Sequence, residues 1–441
     1  MRNVALAVLM EVTENAAYAN IALRKALGTG GSDARDRAFV TELVNETLRN
    51  LGFIDTVINH FSTLPVDMMK PSIRNLLRMS VCQLRVLTKI PPHAAVHEAV
   101  ELAKSQGFAK LSGFVNGVLR SIVRKPNEPE LPEGDWVVRY SYPEALAADL
   151  IHWLGEERAE EFARNSHAIP SVTVYANTTK LCSDNNSEYD FGEEINGETL
   201  GGGFRTLRNA GDITALQAFK NGLFFVMDPG AMWAVHALGL KPTDTLFDMC
   251  AAPGGKSFAA ACVMGGAGEI TAMDIHPHRV QLMDKTIRRL GLKSIKTKVG
   301  DGTNPSYNNK YDAVLLDAPC SGLGTLRKRP EIKYRYDGPD PTLLETQRAL
   351  LESAATYVKP GGTLVYSTCT VTREENIDRV RQFCKEHPSF TIEPLPMLPD
   401  EKTIPHFVED NCLQLLPGEY NDGFFIARLR YNEKNNEREE Q

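Results

Sequence analysis

The chain has 441 residues, more than one ordinary core accommodates, which implies two to four domains. With 42% hydrophobic and 24% charged residues and no apolar run near the roughly 18 residues that span a bilayer, its composition excludes a disordered chain and a helical membrane protein. The net charge of −7 argues against a nucleic-acid partner only until it is resolved along the chain: residues 1–125 balance at +6, residues 126–215 at −11, and the rest is nearly neutral. A basic front is compatible with a polyanion.

The opening MRNVALAVLMEVTENAAYA has the charge and apolar run of a cleaved leader. Glu11 and Glu14 follow the run at once, however, and Leu6, Met10 and Ala17 continue one helical face. It is read as a helix of a cytoplasmic protein. From Val4 to Arg124 the periodicity stays helical, punctuated at Gly28–Ser32, Pro65, Pro71 and Pro91-Pro92, so residues 1–125 are expected to form an all-helical domain. Arg74, Arg78 and Arg85 recur at intervals of four and seven, opposite Leu76, Leu77 and Val81. That pattern suits a polyanion-facing surface and a merely solvated face alike.

Pro126, Pro129 and Pro132 among acids mark an expected linker over 126–135. Residues 136–225 are expected to form a small α+β subdomain, with a helix around Ala145–Phe162, strands at Val172–Ala176 and Leu223–Met227, and a polar loop over Ser183–Gly203. From 226 to 431 short apolar strands alternate with helices: TLFDMC, EITAMDI, IKTKVGD, YDAVLLDAP and GTLVYST, with helices at His278–Leu290, Leu343–Tyr357 and Glu374–Lys385. This is the signature of a doubly wound, mostly parallel α/β sheet. Residues 432–441 form a charged tail.

Ligands in such sheets bind beyond the carboxyl ends of the strands. Those ends carry Asp248, Asp274, Asp301, Asp317, Cys320 and Cys369. In DMCAAPGGKS (248–257), Gly255, Lys256 and Ser257 imitate the end of a phosphate-binding loop, but the glycine expected six residues before the lysine is Cys250. Pro253, Gly254 and Gly255 still impose a tight turn leading into a helix N-terminus, an anion cradle to which Lys256 adds charge. An acid at 274 suits ribose hydroxyls and an acid at 301 an adenine amine, so together they describe an adenosyl ligand. S-adenosylmethionine needs only a carboxylate anchor there, whereas a triphosphate would want glycine at 250 and a magnesium-holding acid.

Eight cysteines without any CxxC pair argue against zinc and against a disulfide framework. Cys320 and Cys369 sit on strand-end loops, where a thiol could serve as an activated nucleophile. Thr372 and Glu375 have capping-box spacing, placing a helix start, and with it a thiolate-favouring positive end, just after Cys369.

DMCAAPGGKS, Asp274, GDG (300–302), LLDAPCSGLGTLRKRPEIKY (315–334), GGTLVYSTCTVTREEN (361–376) and DGFFIARL (422–429) together resemble the RNA cytosine-5 methyltransferases of the bacterial Sun/Fmu type. AYANIAL, DRAFVTELV, LLRMSVCQLRVL, IPPHAAVHEAVELAK and FVNGVLR look like the NusB-like helical domain carried by the ribosomal members. The resemblance implies a class I Rossmann-like methyltransferase with S-adenosylmethionine held by Cys250, Ala251, Ala252, Pro253, Gly254, Gly255, Lys256, Asp274, Asp301 and Asp317. It implies that Cys369 attacks C6 of cytosine, Cys320 assists product release, Asp317 hydrogen-bonds the ring and Lys256 neutralises charge. The implied partner is small-subunit ribosomal RNA, bound by a monomer without metal. A transfer-RNA enzyme and a non-catalytic RNA-binding factor are the alternatives. The sequence departs from the family pattern at VYANTTK (174–180) and MDPGAMW (227–233), which puts RNA or cofactor contacts from that region in doubt.

Overall fold

The computed structural model describes residues 1–28, 33–87, 89–131, 134–181, 199–207, 211–305 and 310–433. Most of the tail expected at 432–441, part of the linker and most of the loop expected at Ser183–Gly203 lie outside these residues. The chain forms two compact units, one of Met1–His167 with Leu326–Gly338 and one of Ala168–Thr325 with Pro339–Gln441.

The first unit is helical among its described residues. Arg2–Thr13, Ala19–Gly28, Ala34–Arg49, Leu51–Phe61, Pro71–Arg85, Pro92–Ala103 and Ser112–Arg124 bury Leu9, Leu43, Ile54, Leu77 and Leu119 in one core. Pro71 and Pro92 open their helices at the first turn, where a missing N–H costs nothing. Asp33 caps the third helix through Asp36 N–H. The units do not divide at 126–135: the helices Glu144–Leu154 and Glu156–His167 belong to this first unit. The single helix expected around Ala145–Phe162 is broken by Gly155, whose φ of +77° is a left-handed conformation that glycine adopts without strain.

The arginine face is the second departure. Arg74 pairs with Glu14 at 2.6 Å, and Arg78 is buried in a bidentate pair with Asp55 at 2.8 and 2.6 Å. Arg85 donates to the carbonyls of Lys125 and Glu128. These cations serve internal packing and are not a free polyanion surface.

Residues Leu326–Gly338 also belong to the helical unit, although they interrupt the α/β part of the sequence. Lys333 Nζ donates to the carbonyls of Arg49 and Tyr140, Tyr334 OH to the carbonyl of Ser141, and Glu331 accepts from Ala19 N–H. Burial, with Arg49 nearby, pulls the Lys333 ammonium down to about 7.

The second unit contains two sheets. Strands β1 (Val172–Ala176), β2 (Thr199–Gly201), β3 (Phe204–Leu207) and β4 (Phe224–Val226) form a small antiparallel sheet ordered β2-β3-β1-β4. Asn177, in the divergent VYANTTK stretch, is buried and donates to the carbonyls of Gly222 and Leu290, so it is a structural tie. Asp228, in MDPGAMW, accepts from Gly230 N–H at the start of the helix Pro229–Leu238 and from Asp422 N–H.

The larger sheet is built from β5 (Thr245–Asp248), β6 (Glu269–Asp274), β7 (Ile295–Val299), β8 (Tyr311–Asp317), β9 (Val358–Thr368), β10 (Phe390–Glu393), β11 (His406–Glu409), β12 (Cys412–Leu415) and β13 (Phe424–Tyr431). Its order is β11-β12-β13-β9-β8-β5-β6-β7, with β10 pairing β13. Strands β5 to β9 are mutually parallel, and β13 joins β9 antiparallel. The fold is therefore a doubly wound, Rossmann-like α/β fold with a mixed sheet. Chain order reverses between β5 and β8, the place where an open α/β sheet leaves a crevice at its carboxyl ends.

Candidate active site

Strand β5 ends on Asp248, and the chain turns through Met249–Gly254 into the helix Gly255–Val263. Ala251 N–H bonds the carbonyl of Met273, which docks the turn on β6, and Gly254 N–H bonds the carbonyl of Ala251. Gly254 has φ +107°, and a Cβ there would stand 2.3 Å from the Phe258 ring, so the turn requires glycine at this position.

Asp248 is buried at the base of this turn. Its Oδ2 accepts from Ser257 Oγ at 2.6 Å, while Oδ1 has no hydrogen-bond partner among the described residues. Burial first, then the charges of Asp317 and Asp274, raise its carboxyl to about 7. Burial also pushes the Cys250 thiol well up, so it remains a neutral wall of the turn.

Lys256 differs from the sequence reading. It does not stand open to an anion: its Nζ pairs with Asp317 Oδ2 at 2.7 Å and lies 5.0 Å from the centre of the Phe424 ring. Burial works against its charge, but the Asp317 carboxylate outweighs that and holds the ammonium above its ordinary value. Asp317 Oδ1 accepts from Ser367 Oγ at 2.9 Å, which fixes the carboxylate across the ends of β8 and β9.

At the end of β6, Asp274 accepts from His276 N–H and pairs with Arg279 at 3.2 Å. Beyond β7, the exposed Asp301 is oriented by Thr303 N–H and Oγ1 at 2.9 and 2.7 Å. Gly302 next to it would bring a Cβ within 2.8 Å of Leu350. An unpartnered buried carboxylate oxygen, a turn closed to any Cβ and two fixed acids beyond β6 and β7 make up an acceptor set that fits the ammonium and hydroxyl groups of an amino-acid-bearing nucleoside.

The two cysteines are brought together although 49 residues separate them. Cys320 Sγ and Cys369 Sγ stand 3.2 Å apart, and Cys369 N–H donates to Cys320 Sγ at 3.3 Å. The hydrogen bond to Cys369, followed by burial, raises the Cys320 thiol well above the usual range.

The capping box does not form. The helix after Cys369 begins at Ile377, with Asn376 at its N-cap. The Glu375 side chain turns instead toward the cysteine loops, accepting from Thr372 Oγ1 at 2.9 Å and from Ser321 N–H at 2.9 Å. Gln347, on the helix Pro341–Ala355, donates to the same carboxylate at 2.8 Å. Local spacing pointed to Glu375 in the wrong role, and nothing in the sequence around Gln347 marked it.

The family model for 16S rRNA methyltransferase RsmB/F matches residues 235–430, and that of the NusB family matches residues 1–124. The chain is 36% identical over 446 residues to the probable ribosomal RNA small subunit methyltransferase B of Bacillus subtilis, covering 98% of each. It is 31% identical over 408 residues to the ribosomal RNA small subunit methyltransferase B of Cronobacter sakazakii, covering 90% of each. Among solved structures, PH0851 superposes with a TM-score of 0.75 at 26% identity, over 97% of this chain and 98% of its own. NSun6 from Pyrococcus horikoshii shares the fold, with a TM-score of 0.53 at 23% identity over 66% of this chain and 98% of its own. With the fold, the strand-end site and these matches in agreement, the chain belongs to the RsmB/F family of S-adenosylmethionine-dependent RNA methyltransferases and carries a NusB-family front.

Proposed function

We propose that this protein, acting as a cytoplasmic monomer without metal, methylates C5 of a cytosine in small-subunit ribosomal RNA through a covalent adduct with Cys369. By family resemblance the target is cytosine 967 of 16S rRNA. The single observation that carries the reading is the meeting of Cys320 and Cys369 at 3.2 Å, beside a carboxylate pinned by Lys256 and Ser367.

C5 of cytosine is a poor nucleophile in the aromatic ring. Attack of the Cys369 thiolate on C6 forms a carbon–sulfur bond and moves an electron pair onto C5. S-adenosylmethionine would be held by Cys250–Lys256, Asp274, Asp301 and Asp317, and would supply an electrophilic methyl group. Asp317, held by two donors, is oriented to hydrogen-bond the ring as the adduct forms, and Lys256 keeps that carboxylate in place and offsets its charge. The C5 proton then passes to a solvent water, its electron pair re-forms the C5–C6 double bond, and the carbon–sulfur bond breaks to expel Cys369 from C6. A protonated Cys320 donating to the departing sulfur stabilises the thiolate as it leaves, which is the reason for a high-pKa thiol at that position.

NusB-family homology and the +6 balance of residues 1–125 support an RNA-binding role for the front. The reading is tested by methylating isolated small-subunit RNA and transfer RNA in parallel and mapping 5-methylcytosine by bisulfite sequencing. A single site in the small-subunit RNA is expected. Modification confined to transfer RNA would overturn the substrate assignment.

A further inference from the structure

The loop carrying Cys320 is gripped on both sides of the cysteine. On one side the carbonyl of Pro319 accepts from Gln347 Nε2 at 2.9 Å; on the other, Ser321 N–H donates to Glu375 Oε2 at 2.9 Å. The same Gln347 nitrogen reaches Glu375 Oε2 at 2.8 Å. Both partners of that nitrogen are acceptors, so the amide orientation follows from the chemistry. The loop carrying Cys369 is tied to the same group: Glu375 Oε1 accepts from Thr372 Oγ1, and Ser321 Oγ meets Thr370 Oγ1 at 2.7 Å. Tyr366 OH, from β9, holds the Glu375 carbonyl at 2.7 Å. Gln347 is completely buried and Glu375 nearly so, and a buried polar group of this kind is costly unless its bonds are made.

We propose that Glu375, held by Gln347, is a positioning residue for product release: a carboxylate–amide clamp that holds the Cys320 loop against the Cys369 loop so that one sulfur can serve the other. This rests on the release role of Cys320 given above. Both act through the backbone on either side of Cys320. Two independent loops meet on one carboxylate, so loosening it separates the sulfurs without removing either. The negative charge of Glu375 also adds to the forces that keep the Cys320 thiol protonated, after the bond to Cys369 and burial.

Release and methyl transfer separate in the test. Glu375→Gln keeps the shape and removes the charge; Gln347→Met removes the amide grip, and serves should the first variant fail to fold. Each is compared with Cys320→Ala, using the full chain and its RNA substrate, by single-turnover methyl incorporation, steady-state kcat and KM, and denaturing gels for protein–RNA complex. The clamp predicts at least a tenfold loss in kcat with KM falling in parallel so that kcat/KM is kept, single-turnover transfer within about threefold of wild type, and a denaturation-resistant complex accumulating during turnover. It also predicts that the pH profile of release moves to lower pH in Glu375→Gln. Wild-type kcat in a folded variant would overturn the proposal, as would a parallel loss of transfer and turnover without complex. If Cys320→Ala itself traps no complex, the release role of Cys320 fails; if it does while the clamp variants release normally, only the clamp fails.

Discussion

Replacing Asp248 by asparagine isolates the electrostatic cost of the cofactor turn. The carboxyl is 1% exposed, and burial, reinforced by Asp317 and Asp274, lifts it from 3.8 to about 7. Below about pH 4 it is protonated in the folded and unfolded chains alike. As pH rises from about 4 to 7 the unfolded chain ionises first, so Asp248's contribution to stability falls through this window and is level above it. A shift of this size corresponds to on the order of 4 kcal/mol at pH 8, of which roughly 1.5 kcal/mol has already accrued at pH 5. About 2.5 kcal/mol therefore separates the two conditions. For a unit of about 260 residues, losing roughly 2 cal/mol/K per residue on unfolding, this is about 5 °C in Tm. Asparagine keeps an oxygen for Ser257 Oγ and carries no charge. Scanning calorimetry of ligand-free protein should show the Asp248→Asn variant gaining about 5 °C on wild type between pH 5 and pH 8. A gap that stays constant across that range would refute a buried carboxyl with a raised pKa.

Gly254→Ala must place a Cβ 2.3 Å from Phe258 at a φ of +107°. It is expected to cost about 1–3 kcal/mol in thermal unfolding and to raise KM for S-adenosylmethionine at least tenfold; an unchanged KM would contradict the turn as the cofactor loop. Arg78→Ala leaves the half-buried Asp55 without its bidentate partner, and burial already raises that carboxyl. A loss of about 1–3 kcal/mol is expected, not recovered in Arg78→Lys, which cannot make the paired contact. RNA affinity by filter binding should stay within twofold, and a tenfold loss in the folded variant would restore the arginine face as an RNA surface.

The parallel sheet was legible because most of its strands carry an apolar run that stops at a polar, small-residue turn. The strand-end acids and both cysteines were legible for the same reason: a doubly wound sheet gathers its carboxyl ends. Contacts reaching far along the chain were not legible. Thr372 and Glu375 have cap spacing, but Ser321 N–H, 54 residues earlier, and Gln347 compete for the same carboxylate, and these non-local donors take it. Arg74 and Arg78 share a helical face, yet no local pattern announces Glu14 and Asp55 across from them. The segment Leu326–Gly338 continues a methyltransferase motif in the sequence while packing into the helical unit, since its Lys333 and Tyr334 find carbonyls there.

The division of labour between the two sulfurs is tested most directly by incubating Cys320→Ala and Cys369→Ala separately with S-adenosylmethionine and substrate RNA, then denaturing. With Cys369 as nucleophile and Cys320 serving release, Cys320→Ala yields a methylated RNA covalently held by the protein. Cys369→Ala then yields neither complex nor 5-methylcytosine. Methylation by Cys369→Ala, or a trapped complex in that variant and none in Cys320→Ala, would contradict the account.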